Sequence, residues 1–226
     1  MVRSVLVAFV ALTFVASATL GQAPPKSITW PSLFVGWEFV DISQLNVALQ
    51  NQGYPALPEN FFIFGNTYSL LPLLQSPPAT WTFGIVSWQG SASSKTDRSL
   101  ARLSFVGSGA FAEYHPSLPP QARYGLAISM VMGVGFTNLF LVREPSASFE
   151  DALRSPANVL LSRWFFIVQP QVSISWTVEI VVPIPLKLSI GYMLTFDNGA
   201  WDQEGRALKG PPDRFNGWNI QLAIGS

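Results

Sequence analysis

Residues 185–196 read Pro-Leu-Lys-Leu-Ser-Ile-Gly-Tyr-Met-Leu-Thr-Phe. Leu186, Leu188, Ile190, Tyr192, Leu194 and Phe196 share one parity; Lys187, Ser189, Gly191, Met193 and Thr195 share the other. Strand side chains alternate with a period of two, so this segment has one greasy face and one small or polar face. The same alternation recurs in other segments. In 124–137, Tyr124, Leu126, Ile128, Met130, Met132, Val134 and Phe136 oppose Gly125, Ala127, Ser129, Val131, Gly133, Gly135 and Thr137. A soluble sheet would bury the first face and wet the second. A transmembrane barrel turns the first to lipid and folds the second into a narrow lumen.

Composition agrees with that second arrangement. Of 226 residues only 12% are charged and 49% are hydrophobic, against roughly 25% charged in ordinary soluble domains. Thirteen basic and thirteen acidic residues balance, leaving no basic field for nucleic acid. Cysteine is absent and His115 is the lone histidine. Disulfides, thiolate metal sites, a cysteine nucleophile and multi-histidine metal sites are thereby excluded. No cofactor is expected.

Residues 1–23 have the three parts of a cleaved secretory signal: Arg3, an apolar run over 5–15, and small-residue exits at Ala16-Ser17-Ala18 and Gly21-Gln22-Ala23. Cleavage after Ala23 is favoured, with Ala18 as the alternative. Residues 24–226 then form a single domain. The apolar run is short of the ~20 residues a spanning helix needs.

Eight strands are expected, at 30–40, 60–71, 80–90, 100–114, 124–137, 163–180, 185–196 and 217–224. Between the first two, Leu45, Ala48, Leu49 and Gln52 fall at helical spacing, with Ser43 as N-cap and Gly53 as C-cap. Residues 72–78 read as a proline-bearing turn, 91–99 and 143–162 as polar loops, and 197–214 as the last long loop. Where Trp81, Phe83 and Ile85 give way to Val86 and Trp88, a bulge or a misplaced strand boundary would explain the change of phase, and a bulge is expected at Pro170, which cannot donate to a ladder. Connections after the odd strands are polar and mostly long, and those after the even strands are short. Outer-membrane barrels have that asymmetry. The expected fold is all-β: an antiparallel, up-and-down, eight-stranded transmembrane β-barrel with a short helix in the first long loop.

The mature chain resembles the small eight-stranded bacterial outer-membrane β-barrel proteins. Phe39-Val40-Asp41-Ile42-Ser43, Leu45-Asn46 with Leu49, Gly53-Tyr54-Pro55 and Leu57-Pro58-Glu59 look like the opening of a little-characterised group among them. Gly210-Pro211 before Gly217-Trp218 looks similar too. Many such barrels end on an aromatic residue; this chain ends Ile224-Gly225-Ser226, which leaves its assembly route open.

Candidate sites are few. Arg102, Arg123, Arg163, Glu179 and Lys187 fall on or near inward faces and form a candidate lumen charge cluster, either structural or lining an ion pathway. Trp37, Tyr124, Trp164, Trp176, Tyr192 and Trp218, with Phe196, fall on outward faces as a candidate lipid-facing aromatic girdle. His115 lacks an identifiable nucleophile, and Glu113 beside it reads equally well as an exposed neighbour. The acidic residues of the last loop lack the ordered spacing of a calcium loop.

These observations imply a non-enzymatic protein of the outer membrane. Its partners would be the lipid bilayer and envelope or extracellular molecules met through loops 41–60 and 143–162, with no nucleic acid. Two alternatives stay open. One is a narrow passive pore for ions or small solutes. The other is an exported soluble, lipocalin-like barrel with Leu186, Ile190 and Leu194 around an apolar ligand.

Overall fold

The structure is a computed structural model, described here for residues 31–76, 79–119, 122–143, 158–179, 183–197, 199–211 and 214–225. The proposed signal segment, most of loop 143–162 and Asp213 lie outside them.

Ten strands and one helix follow in order: β1 (Ser32–Val40), α1 (Ser43–Asn51), β2 (Asn60–Ser76), β3 (Ala79–Lys95), β4 (Ser99–His115), β5 (Tyr124–Arg143), β6 (Asn158–Glu179), β7 (Pro183–Phe196), β8 (Ala200–Gln203), β9 (Arg206–Lys209) and β10 (Gly217–Ile224). Strands β1 to β7 pair with their sequence neighbours, all antiparallel. β10 pairs with β7 on one side and β1 on the other, closing an eight-stranded barrel. The β8–β9 hairpin hangs from β6 through Ser162 and Asp202.

Register sets the shape. Following paired residues once around from Phe136, through Val106, Gln89, Phe64, Val35, Leu222, Leu188 and Ile174, returns to β5 at Leu126. The stagger is thus ten residues. At about 3.3 Å per residue, against eight strands about 4.8 Å apart, it implies a tilt of about 40°.

The faces fall as the alternation predicts. On β7, Ser189 is 6% exposed and its neighbour Ile190 48%. The lumen, however, is not lined only by small groups. Phe34, Trp88, Phe105 and Phe165 point inward and are buried. A Cβ added to Gly65 would meet the Phe34 ring at 2.5 Å, one on Gly107 the Trp88 ring at 2.6 Å, and one on Gly135 the Phe165 ring at 2.1 Å. The inward glycines are seats for aromatic rings, and large-against-small packing fills the barrel.

Several expected boundaries move. The change of phase in β3 is no bulge: its ladder to β4 runs in one register from Thr80 to Lys95. Val86 and Trp88 are simply inward residues. The polar stretch 91–99 is ladder up to Lys95 and a tight turn at 96–98, because Ser and Thr suit a wet strand rim as well as a loop. The turn expected at 72–78 is largely strand, with a register shift between Leu70 and Leu74. At Pro170 the β5–β6 ladder is unbroken, and the β6–β7 pairs stop at Val168 and resume at Gln171 in the same register. The missing N–H is accommodated by an interrupted ladder, not an inserted residue.

Helix α1 forms where the helical spacing lies, burying Leu45 and Leu49. Ser43 is its first helical residue, not its N-cap; that position is Ile42, without a side-chain cap bond, and Asp41 ahead of it accepts at Oδ1 from the Ser43 N–H (3.1 Å) and hydroxyl (2.7 Å). At its end the Tyr54 N–H reaches Leu49 O and the Gly53 N–H reaches Gln50 O. Gly53 at φ +78° supplies the left-handed residue this reverse turn needs.

Candidate functional site

One mouth of the barrel carries the start of β1, the end of β10 and the β2–β3, β4–β5 and β6–β7 connections. The other carries α1, the β3–β4 turn, the β5–β6 loop and the β8–β9 hairpin.

The second mouth is closed by its own connections. Ile42, Leu45, Leu49 and Leu57 from the first loop, and Trp201 and Phe215 from the last, join one buried cluster with Phe105, Phe165 and Met193 of the barrel wall. Asn46 clamps the loop by donating to Leu57 O (3.0 Å) and accepting from Leu57 N–H (2.8 Å). Arg143 donates to Gln52 O (2.6 Å), and its guanidinium lies 5.4 Å from the centre of the Tyr54 ring. These lid residues overlap the segments behind the family resemblance. Outside, α1 and β9 border a shallow groove between Ser43, Val47, Asn51, Lys209 and Pro211, with Val47 56% exposed.

Under the lid sits Arg163, 2% exposed. Its Nε and Nη2 donate to Asp197 Oδ2 (2.6 Å) and Oδ1 (2.7 Å). The guanidinium lies 5.7 Å from the centre of the Trp201 ring and 5.5 Å from that of Phe215. Such a bidentate, aromatic-walled setting suits arginine over lysine. Asp41, beyond the barrel wall, is held below the usual carboxylate range by its hydrogen bonds from Ser43.

At the opposite mouth Glu113, 6% exposed, is buried rather than an exposed neighbour of His115. Its carboxylate accepts from Lys187 Nζ, across the lumen from β4 to β7, and lies 3.1 Å from His115 Nε2.

The five candidate lumen charges therefore do not form one cluster. Arg163 and Lys187 face inward but lie near opposite mouths, each with an acid. Arg102 is exposed on the outer parity of β4, Arg123 is exposed before β5, and Glu179 is exposed at the last residue of β6. Sequence reading missed the acids that matter inside. Asp197 opens the stretch expected as the last long loop, although its position directly after the last outward residue of β7 places it at the rim. Glu38, 0% exposed, carries the inward parity of β1 with Phe34, Gly36 and Val40, and that parity was the available signal. Among the described residues no group of three acidic or histidine side chains gathers to hold a metal ion. Asp202, from the acidic last loop, accepts from Gly205 N–H in the β8–β9 turn.

On the outer surface Trp37, Tyr124, Trp164, Trp218 and Phe196 are exposed, and Trp176 and Tyr192 are half-buried. They meet across strands: Tyr192 packs edge-on to Trp218 at 5.0 Å, Trp37 to Phe62 at 5.4 Å, and Trp164 lies 4.6 Å from Phe136.

Neither known protein families nor curated proteins provide a match to this chain.

Proposed function

We propose that this chain is an outer-membrane β-barrel whose role is structural or surface-interacting, exercised through the closed mouth and its loops at 41–60 and 143–162, and not catalytic. One observation carries the reading. On β5 and β6 the paired residues Tyr124–Trp176 and Phe136–Trp164 are twelve positions apart. Between them the outward side chains are Leu126, Ile128, Met130, Met132 and Val134 on β5, and Phe166, Val168, Pro170, Val172 and Ile174 on β6. Twelve residues tilted at about 40° span about 30 Å, close to the apolar band and aromatic borders of an outer-membrane barrel. Ile128 and Met132 are 59% and 62% exposed, an apolar surface that water would penalise. Arg102 and Arg123 lie outside that band.

The soluble lipocalin-like alternative needs the opposite faces, with Ile190 around a cavity and Ser189 in water; their exposures run the other way. The pore alternative needs an open lumen, and the aromatic filling and the lid work against one.

The test is fractionation of the envelope followed by a detergent gel. The reading expects the chain in the outer-membrane fraction, retained after an alkaline carbonate wash, and migrating faster unheated than boiled. Release by the wash as a soluble protein without that shift would overturn it.

A further inference from the structure

Among the described residues the buried polar atoms lacking a partner are not scattered. Two, Arg163 Nη1 and Trp201 Nε1, lie beneath the lid; the others are both oxygens of Glu38, both amide atoms of Asn219, Gln169 Oε1, Ser173 Oγ and Trp88 Nε1, and of these the strands β6, β10 and β1 carry all but the last. Gln169 and Ser173 flank Gln171 on the inward face of β6, and register runs from Gln171 to Asn219 and Glu38. Glu113 pairs with Ser129, Ser129 with Gln171, Gln171 with Gly191, Gly191 with Asn219, and Asn219 with Glu38. That is one unbroken row of inward positions across six consecutive strands.

Strand tilt makes the row climb. At about 40° each step of about 4.8 Å rises about 3 Å, so five steps carry it about 15 Å up the axis. It starts at Glu113, Lys187 and His115 near the mouth opposite the lid and ends at Glu38. Ser129 Oγ donates to Gln171 Oε1 (3.4 Å). Gly191 lets its neighbours in the row close up over it: a Cβ there would stand 2.7 Å from Gln171 Cγ, 2.9 Å from Pro170 O and 3.0 Å from Asn219 Oδ1. The Trp88 indole N–H lies near the Glu38 carboxylate without reaching hydrogen-bonding geometry. Above this point the lid packs Ile42, Phe215 and other apolar side chains over the barrel, and the buried polar groups beneath it are the Arg163–Asp197 pair and the Trp201 indole N–H.

Buried polar groups without partners are costly, and where several line one polar channel, bridging water satisfies them. We propose that this row is a water-holding track, entered from the mouth at the start of β1 and blind at Glu38. Glu38 then exchanges its proton with one side of the barrel only. The proposal needs the closed barrel and its filled upper half, and does not depend on what surrounds the barrel.

Indole hydrogen exchange of Trp88 tests it, on the full chain in detergent micelles with ¹⁵N-labelled tryptophan, the resonance assigned by Trp88→Phe. Expected is exchange far faster than the amides of the β5–β6 ladder, slowed at least about tenfold by Gln171→Leu, with the indoles outside the lumen unchanged. Ser129→Val provides the same block if Gln171→Leu fails to fold. Protection of Trp88 equal to the ladder amides would mean a dry lumen and overturn the proposal. Fast exchange indifferent to both substitutions would place the water entry elsewhere and overturn the track. Neither result touches the membrane reading, which fractionation tests separately.

Discussion

Arg163 and Asp197 hold each other through two parallel hydrogen bonds, 2.6 and 2.7 Å long, beneath the lid and with side chains 1% and 8% exposed. The pair links the wall, through β6, to the segment that leads from β7 into the lid. Closure of this mouth thus rests on one ion pair with aromatic walls as well as on apolar packing.

Removing one partner leaves the other buried and uncompensated. Arg163→Met or Asp197→Ala alone should cost about 3–5 kcal/mol, and the double substitution Arg163→Met/Asp197→Leu distinctly less. Urea titration of the refolded barrel measures all three. Equal losses in single and double variants would refute the pairing argument.

The outer face should respond to charge by depth. Met130→Arg, midway between the two aromatic borders, should destabilise the barrel in lipid vesicles by about 2–4 kcal/mol, and Ser93→Arg, paired with Arg102 near the rim, by about 0–1 kcal/mol. Folding titrations in vesicles give the difference. Tolerance of arginine at 130 equal to that at 93 would argue for water around the barrel.

Gly135 should not accept a methyl group. Its Cβ would stand 2.1 Å from the Phe165 ring, and that ring is packed against Phe105 (5.7 Å) and Phe215 (5.4 Å). Gly135→Ala should cost about 1–3 kcal/mol. Gly125→Ala meets only the Ser175 hydroxyl at 2.5 Å, which can rotate away, so its loss should be smaller in the same titration.

The start of α1 should loosen in acid. Asp41 has a folded-state pKa below its ordinary value, so its carboxylate stabilises the folded state above the ordinary aspartate range. That contribution is lost as pH falls through the lowered folded value. Amide exchange at Ser43, corrected for the intrinsic pH dependence, should show declining protection over that window. Asp41→Asn should flatten the profile, and an unchanged profile would rule out Asp41 as the group that holds the helix start.

Most strands, their faces and the helix were legible because each rests on a local period: two along β5 and β7, three to four over Leu45 to Leu49. Boundaries failed where one residue type serves two conformations. Serines 91, 93 and 94 extend the β3 rim instead of forming a loop, and Trp201 and Phe215, inside a stretch rich in charge and glycine, proved to be buried lid residues. The lumen charges were half legible. Parity assigned Arg163 and Lys187 correctly inward, yet no local pattern says that Lys187 meets Glu113 across the barrel or that Arg102 faces out.

By itself the sequence determined that this chain makes amphipathic strands with an apolar face broad enough to demand a nonaqueous neighbour or a shared core, since side-chain alternation is a property of each strand alone. Tertiary structure decided the ten-residue stagger, the closure of β10 on β1, the seating of Phe34, Trp88 and Phe165 over glycines, and the line from Glu113 to Glu38. Those depend on how far each strand slides past the next, a distance set jointly by all eight when the barrel closes.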